Sequence, residues 1–182
     1  NQYWPAKYII DKKGNARYTH FGEGAYEETE QVIKYLLTEG KNVEKEVDFS
    51  TVEKGMEGIQ TPETYLGIAR RENYRPSGDP KTLSSNEWSL SGEWDEDEEK
   101  VVSETSESSI ALRYTAGSAN LVMGYQDKPV EVSVWVDGQP QKTLLINAYQ
   151  LYRLTQHQKA EEHLVELKFK GKGVELYAWT FG

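Results

Sequence analysis

The sequence predicts an α+β chain in which a small strand–strand–helix unit precedes an all-β sandwich or jelly roll. Three observations predict it. Between Ala6 and Leu37 the apolar pattern passes once from strand-like alternation to a helical stripe. From Asn86 onward, short apolar runs alternate with turn residues at the spacing of a two-sheet β protein. Aromatic residues are abundant, with 5 Trp and 12 Tyr. That enrichment suits a β-rich fold and equally a surface that stacks on flat ligands.

Ala6–Ile10 is a short apolar strand, and Asp11-Lys12-Lys13-Gly14-Asn15 is a turn in which Gly14 tolerates positive φ. Ala16–Phe21 returns as the second strand of a hairpin. After Gly22-Glu23-Gly24 a helix is expected over Ala25–Leu37, with Val32, Ile33, Leu36 and Leu37 on one stripe and Glu27, Glu28 and Glu30 near its positive end. Gly40 supplies a stop. A unit this small cannot cover both faces of its own sheet.

Residues 41–60 are polar and weakly periodic and read as a connector. Thr61–Leu83, with Pro62, Pro76, Gly78 and Pro80, reads as an extended link that wraps over the next domain. Strands are then expected at Glu87–Trp94, Lys100–Ser103, Ser109–Ala116, Asn120–Tyr125, Val130–Val136, Thr143–Ile146, Tyr149–Thr155, His163–Phe169 and Val174–Phe181. Val130, Val132, Val134 and Val136 alternate with Glu131, Ser133, Trp135 and Asp137, which is a half-buried strand with one wet face. The expected domains are therefore 1–42, a linker at 43–85, and the sandwich at 86–182.

Composition excludes several functions. Lys plus Arg is 21 against 30 Asp plus Glu, a formal charge of −9, with no basic block to hold phosphates. Nucleic acid is thus not an expected partner, and anionic membrane surfaces are disfavoured for the same reason. No apolar run is long enough to span a bilayer. Cysteine is absent, so the chain has no thiolate with which to exchange disulfides or ligate a metal. It contains no G-x-S-x-G, H-E-x-x-H, Walker or dinucleotide-binding motif. No cofactor and no metal are expected.

The stretch Asn1-Gln2-Tyr3-Trp4-Pro5-Ala6-Lys7-Tyr8-Ile9-Ile10-Asp11-Lys12-Lys13-Gly14, followed by Tyr18-Thr19-His20-Phe21-Gly22-Glu23-Gly24, resembles the thioredoxin-like region of the DipZ family. Thr61-Pro62-Glu63-Thr64-Tyr65-Leu66-Gly67 is similar to the family's linker. Trp88-Ser89-Leu90-Ser91-Gly92-Glu93-Trp94, Leu121-Val122-Met123-Gly124 and Ala178-Trp179-Thr180-Phe181-Gly182 are similar to its jelly-roll strands. The resemblance implies a truncated thioredoxin-like ββα unit followed by a jelly roll that looks like a carbohydrate-binding module. It implies an extracytoplasmic setting at the cell envelope and a parent that exchanges thiols and disulfides, with its Cys-x-x-Cys upstream of Asn1. Pro5 matches the family's cis-proline, and Trp4 the residue beside it whose backbone contacts bound peptide. Redox protein partners would be reached through the missing half, and the open hairpin offers an edge for self-association.

The carbohydrate-binding candidates are Trp135, Glu131, Asp137 and Tyr125. Trp135 either stacks on a sugar ring, with the carboxylates accepting from hydroxyls, or is covered by a loop or by the ββα unit. Tyr177, Trp179 and Phe181 recur at period two and read as core, and so do Trp88 and Trp94, six apart on one strand. Asp95–Glu99 has the oxygen richness of a calcium loop, but a solvated hairpin tip is the simpler reading. His20 near Glu23 reads as a surface histidine, and His157 and His163 flank Glu161-Glu162 without a third ligand at metal spacing.

Overall fold

The computed structural model describes residues 5–21, 24–38, 61–76 and 79–182. They fall in two compact units, one within Asn1–Glu57 and the other within Gly58–Phe181.

In the first unit, β1 (Ala6–Ile10) pairs antiparallel with β2 (Ala16–Phe21). The turn is fixed by Asp11, whose Oδ1 accepts from the Lys13 and Asn15 backbone N–H groups at 2.8 and 2.9 Å. Chiefly through the Asn15 N–H, its carboxyl is drawn down to about 2. Helix α1 (Tyr26–Thr38) follows, with Glu27 and Glu28 in its first turn. Its start is tied by Thr29, whose hydroxyl donates to the Ala25 carbonyl at 2.6 Å. Val32 and, from β2, Tyr18 are buried. The remaining apolar positions are less covered: Tyr8, Ile10, Tyr26, Ile33 and Leu37 are exposed. Pro5 is half-buried just ahead of β1. Trp4, Glu23, Gly40 and the connector 41–60 lie outside the described residues.

The second unit is a two-sheet sandwich. Its strands are β3 (Thr64–Tyr65), β4 (Trp88–Ser91), β5 (Trp94–Glu96), β6 (Val101–Ser103), β7 (Ser109–Ala116), β8 (Ala119–Tyr125), β9 (Val130–Val136), β10 (Gln139–Ile146), β11 (Gln150–Arg153), β12 (Glu161–Phe169) and β13 (Val174–Phe181). One sheet has the order β10-β9-β12-β7-β4; the other has β11-β8-β13-β6-β5, with β3 also paired to β13. The chain switches sheets at most of its turns, the jelly-roll way of covering both inner faces. Alternate residues meet between the sheets around Trp88, Tyr114, Leu112, Leu121, Leu167 and Trp179, all essentially inaccessible.

Two readings of the sequence need correction here. Glu87–Trp94 is not one strand: it breaks at Gly92, whose φ of 86° and close approach to Ser108 let the backbone cross from one sheet to the other. Trp88 and Trp94 therefore face the core from different sheets, and Trp94 meets Phe169 edge to face at 5.7 Å. Residues 61–83 do more than link. Leu66 is fully buried in the core, and the buried Thr61 joins the sheet by accepting from the Thr115 N–H at 2.7 Å. The acidic run is, as read, the solvated tip of a hairpin, here β5–β6, and its turn is held in place. Asp97 Oδ1 accepts from the Glu99 and Lys100 N–H groups at 2.8 Å each, and the carbonyls of Asp97 and Glu98 accept from Ile68 and Ala69. Among the described residues no group of acidic and histidine side chains has a metal-holding arrangement.

Candidate functional site

The residues singled out in the sequence do not converge. β9 does alternate as expected, with its valines buried, Glu131 and Asp137 exposed and Trp135 half-covered on the outer face. The polar groups around Trp135 are already committed, however. The Lys168 ammonium lies over its ring, 4.2 Å from the centroid. Glu131 pairs with Lys170. Asp137, in the left-handed turn before Gly138, accepts from the Leu164 N–H at 2.9 Å and bonds His163 Nδ1 at 2.8 Å. Tyr125 is not a companion of Trp135, because β8 belongs to the opposite sheet. It stacks on Tyr149, whose hydroxyl donates to the Tyr125 carbonyl at 3.0 Å.

His157 and His163 stack face to face, with ring centroids 3.8 Å apart. His157 Nε2 lies 3.1 Å from the Tyr114 hydroxyl, which also bonds Thr155 at 2.7 Å. Burial pushes the Tyr114 phenol up to about 12, and burial, aided by the neighbouring His163, pushes His157 down. This is a polar seam that ties β7 to the segment after β11.

The outer face of the other sheet holds a grouping that alternation conceals. Register slips between Leu176 and Trp179, so that two residues, Tyr177 and Ala178, stand opposite Val122 alone. The bulge turns Tyr177 outward, beside Glu175, instead of into the core. Glu175 is nearly inaccessible yet ionised: Lys100 Nζ donates to Oε1 at 2.7 Å and the Tyr177 hydroxyl to Oε2 at 2.8 Å. Burial alone would raise this carboxyl, but Lys100, Tyr149 and Tyr177 outweigh it and hold it below the ordinary range. Burial and the same carboxylate raise the Tyr177 phenol.

Beside this cluster lies a cleft of about 360 Å³, lined by Tyr65, Gly67, Arg70, Glu98, Glu99 and Tyr177. The Arg70 guanidinium sits over the Tyr65 ring at 3.3 Å. Gly67 is packed so tightly on the Glu98–Glu99 backbone that a Cβ there would fall 2.2 Å from the Glu99 carbonyl carbon. None of these residues stood out in sequence. The Tyr65–Arg70 stretch read as linker, the glutamates as solvated charge, and Tyr177 as core.

A two-sheet jelly-roll sandwich is the class of protein that this fold defines. Residues 61–182 match the family described as Thioredoxin like C-terminal domain, and the chain belongs to that family. Over its whole length the chain is 27% identical to the protein DipZ of Mycobacterium bovis and, equally, to that of Mycobacterium tuberculosis. It spans 28% of the length of these curated relatives, and it is a DipZ-family C-terminal region. Among solved structures, it is similar to a family two carbohydrate esterase from Clostridium thermocellum, with 18% identity, a TM-score of 0.49, and coverage of 53% of this chain and 31% of that one. It is also similar to a family 6 carbohydrate-binding module, with 11% identity, a TM-score of 0.38, and coverage of 51% of this chain and 81% of that one.

Proposed function

We propose that the chain is the non-catalytic C-terminal portion of an extracytoplasmic thiol–disulfide oxidoreductase of DipZ type. Residues 1–42 are the rear part of its thioredoxin-like domain, and the sandwich, which takes in 61–83 as well as 86–182, is a module that docks the redox domain on glycan, cell-envelope material or a partner protein. The observation that carries this reading is the pairing of whole-length similarity to DipZ with a complete lack of cysteine. A chain so related but without a thiolate cannot perform the exchange itself. A hairpin followed by a helix that leaves much of its apolar surface exposed fits a unit completed by other residues. In this reading Trp4 and Pro5 are the remains of the substrate groove, and redox partners engage the half that carries the cysteines.

Insulin disulfide reduction tests the proposal. The longer gene product is expected to carry Cys-x-x-Cys upstream of Asn1 and to turn over, while this chain does not. Absence of that motif from the encoding gene overturns the reading. A second reading, a free-standing carbohydrate-binding module, is favoured by the aromatic side chains on the outer faces of both sheets, Trp135 on one and Tyr149 and Tyr177 on the other. It predicts glycan retention without any redox partner.

A further inference from the structure

The cleft beside β13 is preformed. Its sheet side is the bulge residues Tyr177 and Ala178. The neighbouring segment is pinned by the pairing of β3 with Ala178 and Trp179 and by the Leu66 N–H bond to the Tyr177 carbonyl at 2.9 Å. The Ile68 and Ala69 N–H groups bond the carbonyls of Asp97 and Glu98 at 2.8 and 3.1 Å, which fixes the glutamate-bearing turn to the same segment. Little ordering remains to be done when a ligand enters, and preorganisation of this kind favours affinity.

The lining chemistry restricts the ligand. Tyr177 offers apolar ring surface, Tyr65 the ring face that Arg70 does not cover, Arg70 hydrogen-bond donors at the rim of its guanidinium, and Glu98 and Glu99 acceptors. Arg70, Glu98 and Glu99 are exposed, and among the described residues none of them forms an ion pair. An anion would meet two carboxylates on a chain of net charge −9. A cation would meet the guanidinium. A neutral polyol satisfies both signs, because each hydroxyl donates and accepts, and the C–H face of its ring packs on tyrosine. At about 360 Å³ the cleft is near the small end of ligand sites, typically ~300–1,000 Å³. The surface around Trp135 differs in its carboxylates, since Glu131 and Asp137 are already engaged by Lys170 and His163.

We infer that this cleft, and not the Trp135 surface, binds a short neutral saccharide, with Tyr65 and Tyr177 against the ring and Arg70, Glu98 and Glu99 on its hydroxyls. The inference rests on the sandwich being the docking module.

Calorimetric titration of the full chain with short neutral oligosaccharides (cello-, xylo-, arabino- and laminari-series) tests it. Oligogalacturonate and chitosan oligosaccharide serve as anionic and cationic probes. At least one neutral series is expected to bind. Arg70→Ala and Glu99→Gln, both at exposed positions, are each expected to weaken it about tenfold or more while leaving the thermal midpoint in place. Undiminished affinity in both variants, with loss in Trp135→Ala, overturns the cleft and leaves the docking module standing. Preference for either charged probe overturns the neutral class. Failure of every saccharide to bind overturns the inference, and thiol exchange by the longer gene product would then still uphold the DipZ-type reading.

Discussion

Glu175 and His157 titrate in opposite settings, and each carries a stability prediction. Glu175 is ionised because Lys100 and Tyr177 hold its two oxygens. Lys100→Met leaves a buried carboxylate uncompensated and should cost about 3 kcal/mol in urea unfolding at neutral pH. The carboxyl is shifted down on folding. Its contribution is therefore present above the unfolded carboxylate range and is lost as pH falls through the folded value. The acid limb of a stability profile should become shallower in Glu175→Gln. His157 is also shifted down, chiefly by burial. The unfolded chain then binds the proton more readily, so stability should decline as pH falls from about 7 toward 5. His157→Asn should flatten that interval in thermal denaturation, and an unchanged slope would show that His157 titrates as it does in the unfolded chain. Neither setting was legible in sequence. His157 and His163 showed no ligand spacing, and nothing marked their stacking, which depends on the segment after β11 folding back on β12.

The strands show where alternation works and where it fails. β9 keeps period two through its length, and its inward valines were read correctly from the pattern. β13 does not. Its bulge inserts one residue, which sends Tyr177 to the outer face while Trp179 and Phe181 stay inside. A bulge costs nothing that composition displays, so the reading of Tyr177 as core followed naturally and was wrong. Gly67 is a similar case. It fell in a stretch read as an extended link, yet it is required by close packing against the Glu98–Glu99 backbone. Gly67→Ala should destabilise the sandwich by about 2 kcal/mol, through a backbone clash that no rotamer relieves. It should also raise hydrogen exchange at Ile68 and Ala69, whose N–H bonds cross that contact.

At the scale of the whole chain the two units differ in how well they satisfy themselves. The sandwich buries a continuous core between its sheets. The first unit buries Tyr18 and Val32 but leaves Ile33, Leu37 and Ile10 exposed, at 44%, 68% and 62%. Sedimentation over a concentration series should show self-association that weakens in Leu37→Lys. A monomer at every concentration, with slow exchange in β1 and β2, would mean that the surface is covered within the chain. The residue pattern was enough to establish an acidic chain without thiols, a hairpin and helix ahead of a β sandwich, and most strand positions, because those follow from charge, composition and local periodicity. Which tyrosines face outward, which glutamate is buried and ionised, and where a cleft opens were decided by register, by a bulge and by a loop packed on a distant turn. Those are contacts between residues far apart in the chain, and local patterns carry no record of them.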